Sequence, residues 1–187
     1  MGSLRVIAGS ARGQKLHTVP GKATRPITDR VKESLFNIIG NDIQDAIFLD
    51  IFAGTGAVSI EAISRGARWA RLIDSYVPAV KTIKANLKHT RLADQAEVLQ
   101  MDAFTHLRGV PDRSFDYVYI APPQYKDIWL RALQKIDQSP DWLNEHAWVI
   151  VQIDPVEYQS VALINLEEFD QRRYGSTLLV FYIAPGP

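Results

Sequence analysis

From residue 46 onward, short apolar runs that predict β-strands alternate with longer segments that have the apolar spacing of helices. The predicted strands span residues 46–52, 69–74, 96–101, 115–120 and 147–153, and the predicted helices span residues 57–65, 78–89, 103–107 and 126–136. This alternation is typical of a parallel sheet that is covered by helices on both faces. Two further strands, at 164–174 and 177–183, are separated by Gly175 and predict a closing antiparallel hairpin.

The first 45 residues follow a different pattern. Residues 4–18 predict a β-hairpin around a loop at 9–13, and a stretch that contains Pro and Gly follows as a linker. A helix is expected to begin at the N-caps Thr28 and Asp29 and to end at Gly40. We therefore divide the chain into a hairpin with its linker, residues 1–27, and one larger domain, residues 28–187.

Composition narrows the possible functions. The 187 residues are 47% hydrophobic and include no Cys, which excludes disulfides, thiolate zinc sites and cysteine nucleophiles. The four His residues are scattered, so we expect no metal. No apolar run approaches the roughly 18 residues of a membrane span, and the start of the chain lacks the pattern of a secretory signal. A cytoplasmic protein without membrane contact is the prediction.

The formal net charge of zero conceals an asymmetry along the chain. Residues 1–35 contain seven basic and two acidic side chains, so this segment carries +5 and the rest carries −5. The basic residues are Arg5, Arg12, Lys15, Lys22, Arg25, Arg30 and Lys32. Concentrated positive charge indicates a polyanionic partner, although a solubilising surface segment would have the same composition.

A glycine-rich turn and three acidic residues predict a ligand cleft. Gly54 and Gly56 follow the strand at 46–52, where parallel sheets bind ligands beyond the carboxyl ends of their strands. The turn alone is weak evidence, because Ser59 breaks the strict dinucleotide pattern and a purely structural turn would look similar. The acids Asp50, Asp74 and Asp102 close three successive strands, and such carboxylates suit ribose hydroxyls and an adenine amine. Together they predict an adenosine-binding cleft.

The fourth predicted strand runs directly into a loop with two consecutive prolines. The loop residues are Ala121, Pro122, Pro123, Gln124 and Tyr125. Because proline has no N–H, the backbone here offers rigid carbonyl acceptors, and Tyr125 could stack on a flat ring. The loop therefore suits an exocyclic amine on a nucleobase, and the alternative is an ordinary proline-rich strand exit.

These motifs resemble those of class I amino-methyltransferases. The segments Arg5 to Gly13 and Thr24 to Ile38, together with Arg173-Tyr174-Gly175-Ser176-Thr177, closely resemble the bacterial small-subunit ribosomal RNA guanine-N2 methyltransferases, the RsmD family. The resemblance implies an α/β, three-layer Rossmann-like fold whose seven-stranded, mostly parallel sheet ends in an antiparallel hairpin. It further implies methyl transfer from S-adenosylmethionine to N2 of a guanine in 16S rRNA, either free or in the small subunit, by a monomer.

The resemblance also assigns residues to each role. The expected donor-binding residues are Asp50, Phe52, Ala53, Gly54, Thr55, Gly56, Asp74, Ser75, Asp102 and Ala103, with Thr28 and Arg30 reaching the methionine carboxylate. The expected transfer site is the loop Ala121, Pro122, Pro123, Gln124 and Tyr125. The expected RNA contacts are Arg5, Arg12, Lys15, Lys22 and Arg25.

One position departs from the family pattern. The family tetrad usually reads Asp-Pro-Pro-Tyr or Asp-Pro-Pro-Phe, whereas this chain has Ala121 first and Gln124 fourth. Losing one acceptor for the target amine slows such chemistry by roughly 10²–10³-fold unless backbone carbonyls or the Gln124 oxygen replace it. One alternative is therefore an RNA-binding assembly factor that keeps the donor pocket without catalysis. A nicotinamide-dependent oxidoreductase is a further alternative, but it leaves the Pro-Pro loop and the basic segment unexplained.

Overall fold

The computed structural model describes residues 4–21 and 26–186 of the chain. Its helices are α1 (Asp29–Ile39), α2 (Ala57–Ser64), α3 (Val77–Thr90), α4 (Ala103–Leu107) and α5 (Ile128–Asp137). Its strands are β1 (Ile47–Asp50), β2 (Trp69–Asp74), β3 (Ala96–Gln100), β4 (Phe115–Ile120), β5 (Leu143–Ile153), β6 (Glu167–Tyr174) and β7 (Thr177–Ile183). Short 3₁₀ helices lie at Gly40–Ile43, Ala93–Gln95, Pro140–Trp142 and Pro155–Glu157.

The seven strands form one sheet in the order β3-β2-β1-β4-β5-β7-β6. The five strands β1 to β5 are mutually parallel, while β7 is antiparallel to both β5 and β6. A separate apolar core packs on each face of the sheet, which makes three layers. This architecture confirms the predicted α/β fold with its closing hairpin. Because strand order reverses between β1 and β4, a crevice opens at their carboxyl ends.

Several element boundaries differ from the sequence prediction, among them those of β1, which spans Ile47–Asp50, and β5, which begins at Leu143; two of the differences have an identifiable reason. Strand β6 begins at Glu167 rather than at 164, because the buried Asp137 carboxylate accepts the backbone N–H groups of residues 164, 165 and 166 at 2.7–3.1 Å. These N–H groups are therefore unavailable to a strand partner. Helix α5 begins at Ile128 rather than at 126, since Asp127 has the left-handed φ of 51°. The first effect comes from a side-chain carboxylate and the second from backbone conformation, and the apolar pattern encodes neither.

The N-terminal segment, residues 4–19, is packed into the body of the protein. The two arms of the predicted hairpin are joined by an antiparallel bridge between Arg5 and Lys15 and by backbone hydrogen bonds on either side of it, from the Leu16 N–H to the Leu4 carbonyl at 2.8 Å and from the Val6 N–H to the Gln14 carbonyl at 3.0 Å. The segment contributes apolar side chains to the core that also contains α1 and α2, namely Leu4, Val6, Ala11 and Leu16. The boundary that we predict at residue 27 stays a prediction, since residues 22–25 lie outside the described part of the chain.

Glu61 of α2 holds this segment in place. Its fully buried carboxylate accepts the backbone N–H groups of Ile7 at 2.9 Å and Ala8 at 3.0 Å. Lys32 and Arg65 pair with the same carboxylate at 3.4 and 2.8 Å. Burial lowers the pKa of Lys32, and the Glu61 charge opposes that shift. A buried carboxylate is tolerated here because two cations and two N–H donors surround it.

Candidate active site

One cleft lies at the carboxyl ends of the central strands, where the topology places a ligand site. Its volume is about 980 Å³, at the upper end of the roughly 300–1,000 Å³ that is usual for small-molecule sites. One wall is formed by the glycine turn and the acids, and the other by the Pro-Pro loop. Seventeen lining residues matter most for the argument: Thr28, Asp50, Phe52, Ala53, Gly54, Thr55, Asp74, Ser75, Asp102, Ala103, Tyr119, Ala121, Pro122, Pro123, Gln124, Tyr125 and Gln152.

The two glycines of the turn have different surroundings. Gly54 has a φ of +56°, and a Cβ added there would meet no protein atom within 4 Å. It therefore faces the open cleft. Gly56 has a φ of +78°, and its Cβ would lie 3.2 Å from the Leu72 side chain and 3.4 Å from Ile83. Gly56 thus allows close packing of the turn on the core and is not among the residues that line the cleft, and its contact with a donor stays a prediction.

Asp74, at the end of β2, stabilises the glycine turn through hydrogen bonds of its side chain. Its Oδ2 accepts the N–H of Gly54 at 2.9 Å, and its Oδ1 accepts the N–H of Tyr76 at 2.9 Å. Each carboxylate oxygen has two acceptor sites, so one on each oxygen is left for a ligand. The side chain is half-buried and lines the cleft. This geometry fits two adjacent hydroxyl groups.

Asp50, at the end of β1, is buried beneath the same wall. It is 1% exposed, and its Oδ2 accepts the Ser59 hydroxyl at 3.1 Å. Burial raises the pKa of Asp50 to about 7; the Ser59 hydrogen bond opposes this shift and the neighbouring Asp74 adds to it. Among the described residues Oδ1 has no hydrogen-bond partner. This carboxyl is therefore poised to change its charge near neutral pH.

Asp102 occupies the far end of the wall, two residues beyond β3. It is the N-cap of α4, where its Oδ1 accepts the Thr105 N–H at 2.9 Å. The side chain is exposed and lines the cleft together with Ala103. The helix-cap role and a ligand role are compatible, because the cap occupies only one of the two carboxylate oxygens. The three acids therefore surround one cavity, as their positions at strand ends predict.

The opposite wall is the loop that leaves β4. Tyr125 has a φ of +64° and is 66% exposed. Its N–H donates to Glu157 Oε1 at 2.8 Å, and its hydroxyl donates to Asp154 Oδ2 at 3.1 Å. These contacts fix the loop against the segment after β5 and leave the ring at the mouth of the cleft. A stacking role for Tyr125 stays a prediction.

Sequence reasoning missed several residues that line the cleft. The most polar are Tyr119 of β4 and Gln152 of β5, whose side chains are hydrogen-bonded to each other. The others are Pro26, Ile27, Ile51, Ala57, Val58, Phe104, Ile128, Ile153, Ser176 and Thr177. Strand alternation was the available signal for Tyr119, since it lies two residues before Ala121 and therefore on the same face of β4.

The predicted basic residues are distributed outside the cleft. Arg30 is exposed and does not line the cleft, its guanidinium carbon lies 6.0 Å from the ring centre of Tyr174, and its contact with the donor stays a prediction. Arg5 pairs with Asp29 at 2.9 Å, so its charge is partly neutralised. Two further residues of the predicted set, Arg12 and Lys15, are exposed, whereas Lys22 and Arg25 lie outside the described residues.

Within residues 4–21 and 26–186, no helix is long and apolar enough to cross a membrane. The same part of the chain contains no group of three His, Asp or Glu side chains arranged to hold a metal ion.

The family model described as conserved hypothetical protein 95, that of the RsmD methyltransferases, matches residues 4–183. The ribosomal RNA small subunit methyltransferase D of Haemophilus influenzae is 32% identical over 183 residues, covering 97% of this chain and 92% of that protein. The chain belongs to the RsmD family. The solved structure of yhhF from Escherichia coli matches it with a TM-score of 0.86 at 29% identity, covering 100% of both chains.

A more distant structure shares the fold alone. It is an RNA methyltransferase from Salinibacter ruber in complex with S-adenosyl-L-homocysteine, with a TM-score of 0.65 at 16% identity over 87% of this chain and 95% of that one. The predictions of membership in the RsmD family and of a class I methyltransferase fold are therefore confirmed.

Proposed function

We propose that this protein transfers a methyl group from S-adenosylmethionine to the exocyclic N2 of a guanine in small-subunit ribosomal RNA. The observation that carries the proposal is a cleft in which a carboxylate-lined glycine turn faces a proline-rich acceptor loop. The names of the RsmD relatives support ribosomal RNA as the substrate. The choice of N2 rests on the resemblance of the sequence motifs and on the amine-binding character of the loop.

The donor wall fits an adenosine group with a methionine tail. S-adenosylmethionine, when bound, supplies a methyl group that the sulfonium already activates. Asp74 would accept the ribose hydroxyls with the acceptor sites that Gly54 and Tyr76 leave open. The second oxygen of Asp102 would accept the adenine amine. Gly54 keeps the floor open, because no side chain projects from it into the cleft.

The acceptor wall would hold the base. The prolines at 122 and 123 carry no N–H, so their loop presents carbonyl oxygens as acceptors for an amine. The target guanine has to leave its stack to enter a cleft of this kind. Residues of both walls then align the amine with the methyl group, and proximity supplies most of the rate enhancement. Outside the cleft, the exposed Arg12 and Lys15 would bind phosphates.

A second candidate function follows from Ala121. A protein that lacks the acidic acceptor could be an RNA-binding assembly factor that keeps a donor pocket. Under either function we place the protein in the cytoplasm, bound to 16S rRNA or the small subunit and monomeric when free. A bound metal ion is needed by neither function.

The deciding experiment is methyl transfer from labelled S-adenosylmethionine to small subunits isolated from a strain that lacks this gene. We expect label in 16S rRNA, and mass spectrometry of the nucleosides should identify it as N2-methylguanosine. Absence of incorporation above background would favour the assembly factor. Calorimetry with S-adenosylhomocysteine and with NADH tests the cofactor, and tight binding of NADH alone would support an oxidoreductase instead.

A further inference from the structure

The cleft contains a hydrogen-bonded pair of polar side chains that belongs neither to the wall of the glycine turn nor to the Pro-Pro loop. Tyr119 lies on β4 and Gln152 on β5, and the Tyr119 hydroxyl donates a hydrogen bond to Gln152 Oε1. Both residues line the cleft, with Tyr119 2% exposed and Gln152 half-buried. An amide at the inner edge of a ligand site, fixed by a buried hydroxyl, is a defined hydrogen-bonding group rather than a solvated surface side chain.

Strand register places this amide beside the position where the family has its acid. The parallel strands β4 and β5 pair Tyr119 with Ile150 and Ile120 with Val151. Continuing this register by one residue brings Ala121 opposite Gln152. Side chains alternate between the faces of a sheet, so Ala121 and Gln152 point to the face that carries Tyr119 and Ile150. These last two residues belong to the same apolar core, and the side chain at 152 is therefore the cross-strand neighbour of the side chain at 121.

We propose that Gln152, held in place by Tyr119, is the side-chain acceptor for the target amine and replaces the carboxylate that is absent at Ala121. This inference rests on the proposed methyl transfer. An amide oxygen has two acceptor sites; Tyr119 occupies one and the other can accept an N–H of the amine. That hydrogen bond directs the nitrogen lone pair towards the methyl group.

Methyl transfer requires no change in the charge of the Gln152 amide. The amine lone pair forms the N–C bond while the C–S bond breaks, its electron pair stays on sulfur, and the surplus N–H proton leaves to water. Gln152 holds the amine and does not take the proton. Tyr119 is a positioning residue that acts through Gln152. Burial raises the pKa of Tyr119 well above its ordinary value, so the hydroxyl keeps the proton that it donates.

Steady-state methyl transfer to unmodified small subunits tests the inference in the full-length protein. We expect Gln152→Ala to lower kcat about 10²-fold, the scale for losing one such contact, while the Kd of S-adenosylhomocysteine changes less than twofold. Tyr119→Phe should lower kcat about tenfold at unchanged KM. Adding Ala121→Asp to Gln152→Ala should recover at least tenfold of the loss. Gln134→Ala, an exposed glutamine of α5, is the matched control.

The outcomes separate the inference from the function on which it rests. Active wild-type protein with a Gln152→Ala variant of equal kcat would overturn the role of Gln152 alone. Absence of transfer by the wild type would overturn the proposed function and this inference with it. If Gln152→Ala does not fold, Gln152→Glu decides the matter, since it keeps an acceptor oxygen and should retain at least the wild-type kcat. A large loss in that variant would contradict the inference.

Discussion

Asp50 is a buried carboxyl whose ionisation opposes folding, and removing its charge should change how stability depends on pH. The side chain is 1% exposed, and burial is the main cause that raises its pKa to about 7. Asp74 adds repulsion, and the Ser59 hydroxyl compensates in part. The variant Asp50→Asn has nearly the same shape without a titratable proton. The free energy of unfolding of Asp50→Asn should therefore lack the pH-dependent contribution that the Asp50 carboxyl makes in the wild type.

The sign and size of that contribution follow from the pKa difference. An aspartate in the unfolded chain titrates near 3.9, roughly three units below the folded value. Between about pH 4 and pH 7 the folded protein binds the extra proton, so the free energy of unfolding falls as the pH rises. At about 1.4 kcal/mol per unit the full cost is about 4 kcal/mol above pH 7. Of this, roughly 2–3 kcal/mol develops between pH 5 and pH 8.

Urea unfolding at pH 5 and at pH 8, followed by the fluorescence of the four Trp residues, measures the difference. Wild-type protein should lose about 2–3 kcal/mol more than Asp50→Asn over this interval. Other titrating groups are common to both proteins and cancel. Ser59→Ala removes the hydrogen bond that lowers the pKa of Asp50, so it should shift the loss to higher pH. Equal losses in wild type and Asp50→Asn would refute the argument, because Asp50 would then titrate in the folded protein as it does in the unfolded chain.

Three further outcomes are expected. Asp74→Asn should weaken binding of S-adenosylhomocysteine by about 1–2 kcal/mol in calorimetry, because a charge-assisted hydrogen bond is lost while one oxygen remains. Asn86→Ala should lower the free energy of unfolding by about 1–3 kcal/mol in urea titrations, since the buried amide bonds both His17 and Thr55. Replacing Arg12 and Lys15 together by Gln should reduce the salt dependence of RNA binding, with the slope of log K against log salt concentration falling by roughly 1.5.

The variants of the two proposed binding sites each have a matched control. For Asp74, the exposed Asp94→Asn should leave the affinity for S-adenosylhomocysteine unchanged, and unchanged affinity in Asp74→Asn would mean that the ribose lies elsewhere. For Arg12 and Lys15, the control is Lys135→Gln on α5, which packs on the opposite face of the sheet from the N-terminal segment. An equal change of slope in that control would show that the two residues have no special part in RNA binding.

The fold was predictable because its strands and helices are marked locally. Runs such as Phe115–Ile120 are buried on both faces of the sheet, so they appear in the sequence as short apolar stretches between polar turns. Thr28 marks the start of α1 by capping it. The start of β6 was not predictable in this way. Asp137 determines it by capping residues 164–166 across the fold, and no local pattern reports a contact between segments 27 residues apart.

The site was predictable where topology alone positions a side chain. Parallel strands end at one edge, so the acids at the ends of β1 and β2 and just beyond β3 had to approach one another, and all three line one cleft in the structure. Gln152 had no such signal. Its relation to Ala121 depends on the register between β4 and β5, and a one-residue shift would turn its side chain to the other face. Register is a property of the assembled sheet, so the sequence alone did not indicate that Gln152 lies beside Ala121.

The basic N-terminal segment shows why charge and position have to be considered together. Its charge predicts contact with RNA, but its apolar residues and Glu61 attach it to α2. Gly9 makes the attachment close, because a Cβ there would lie 1.7 Å from the carbonyl oxygen of Ser64. Asn86 bonds the backbone of His17 and also the carbonyl of Thr55 in the cofactor turn. The segment proposed to bind RNA and the turn proposed to bind the donor are thus joined by one buried amide, so the phosphate contacts are held at a fixed distance from the cleft.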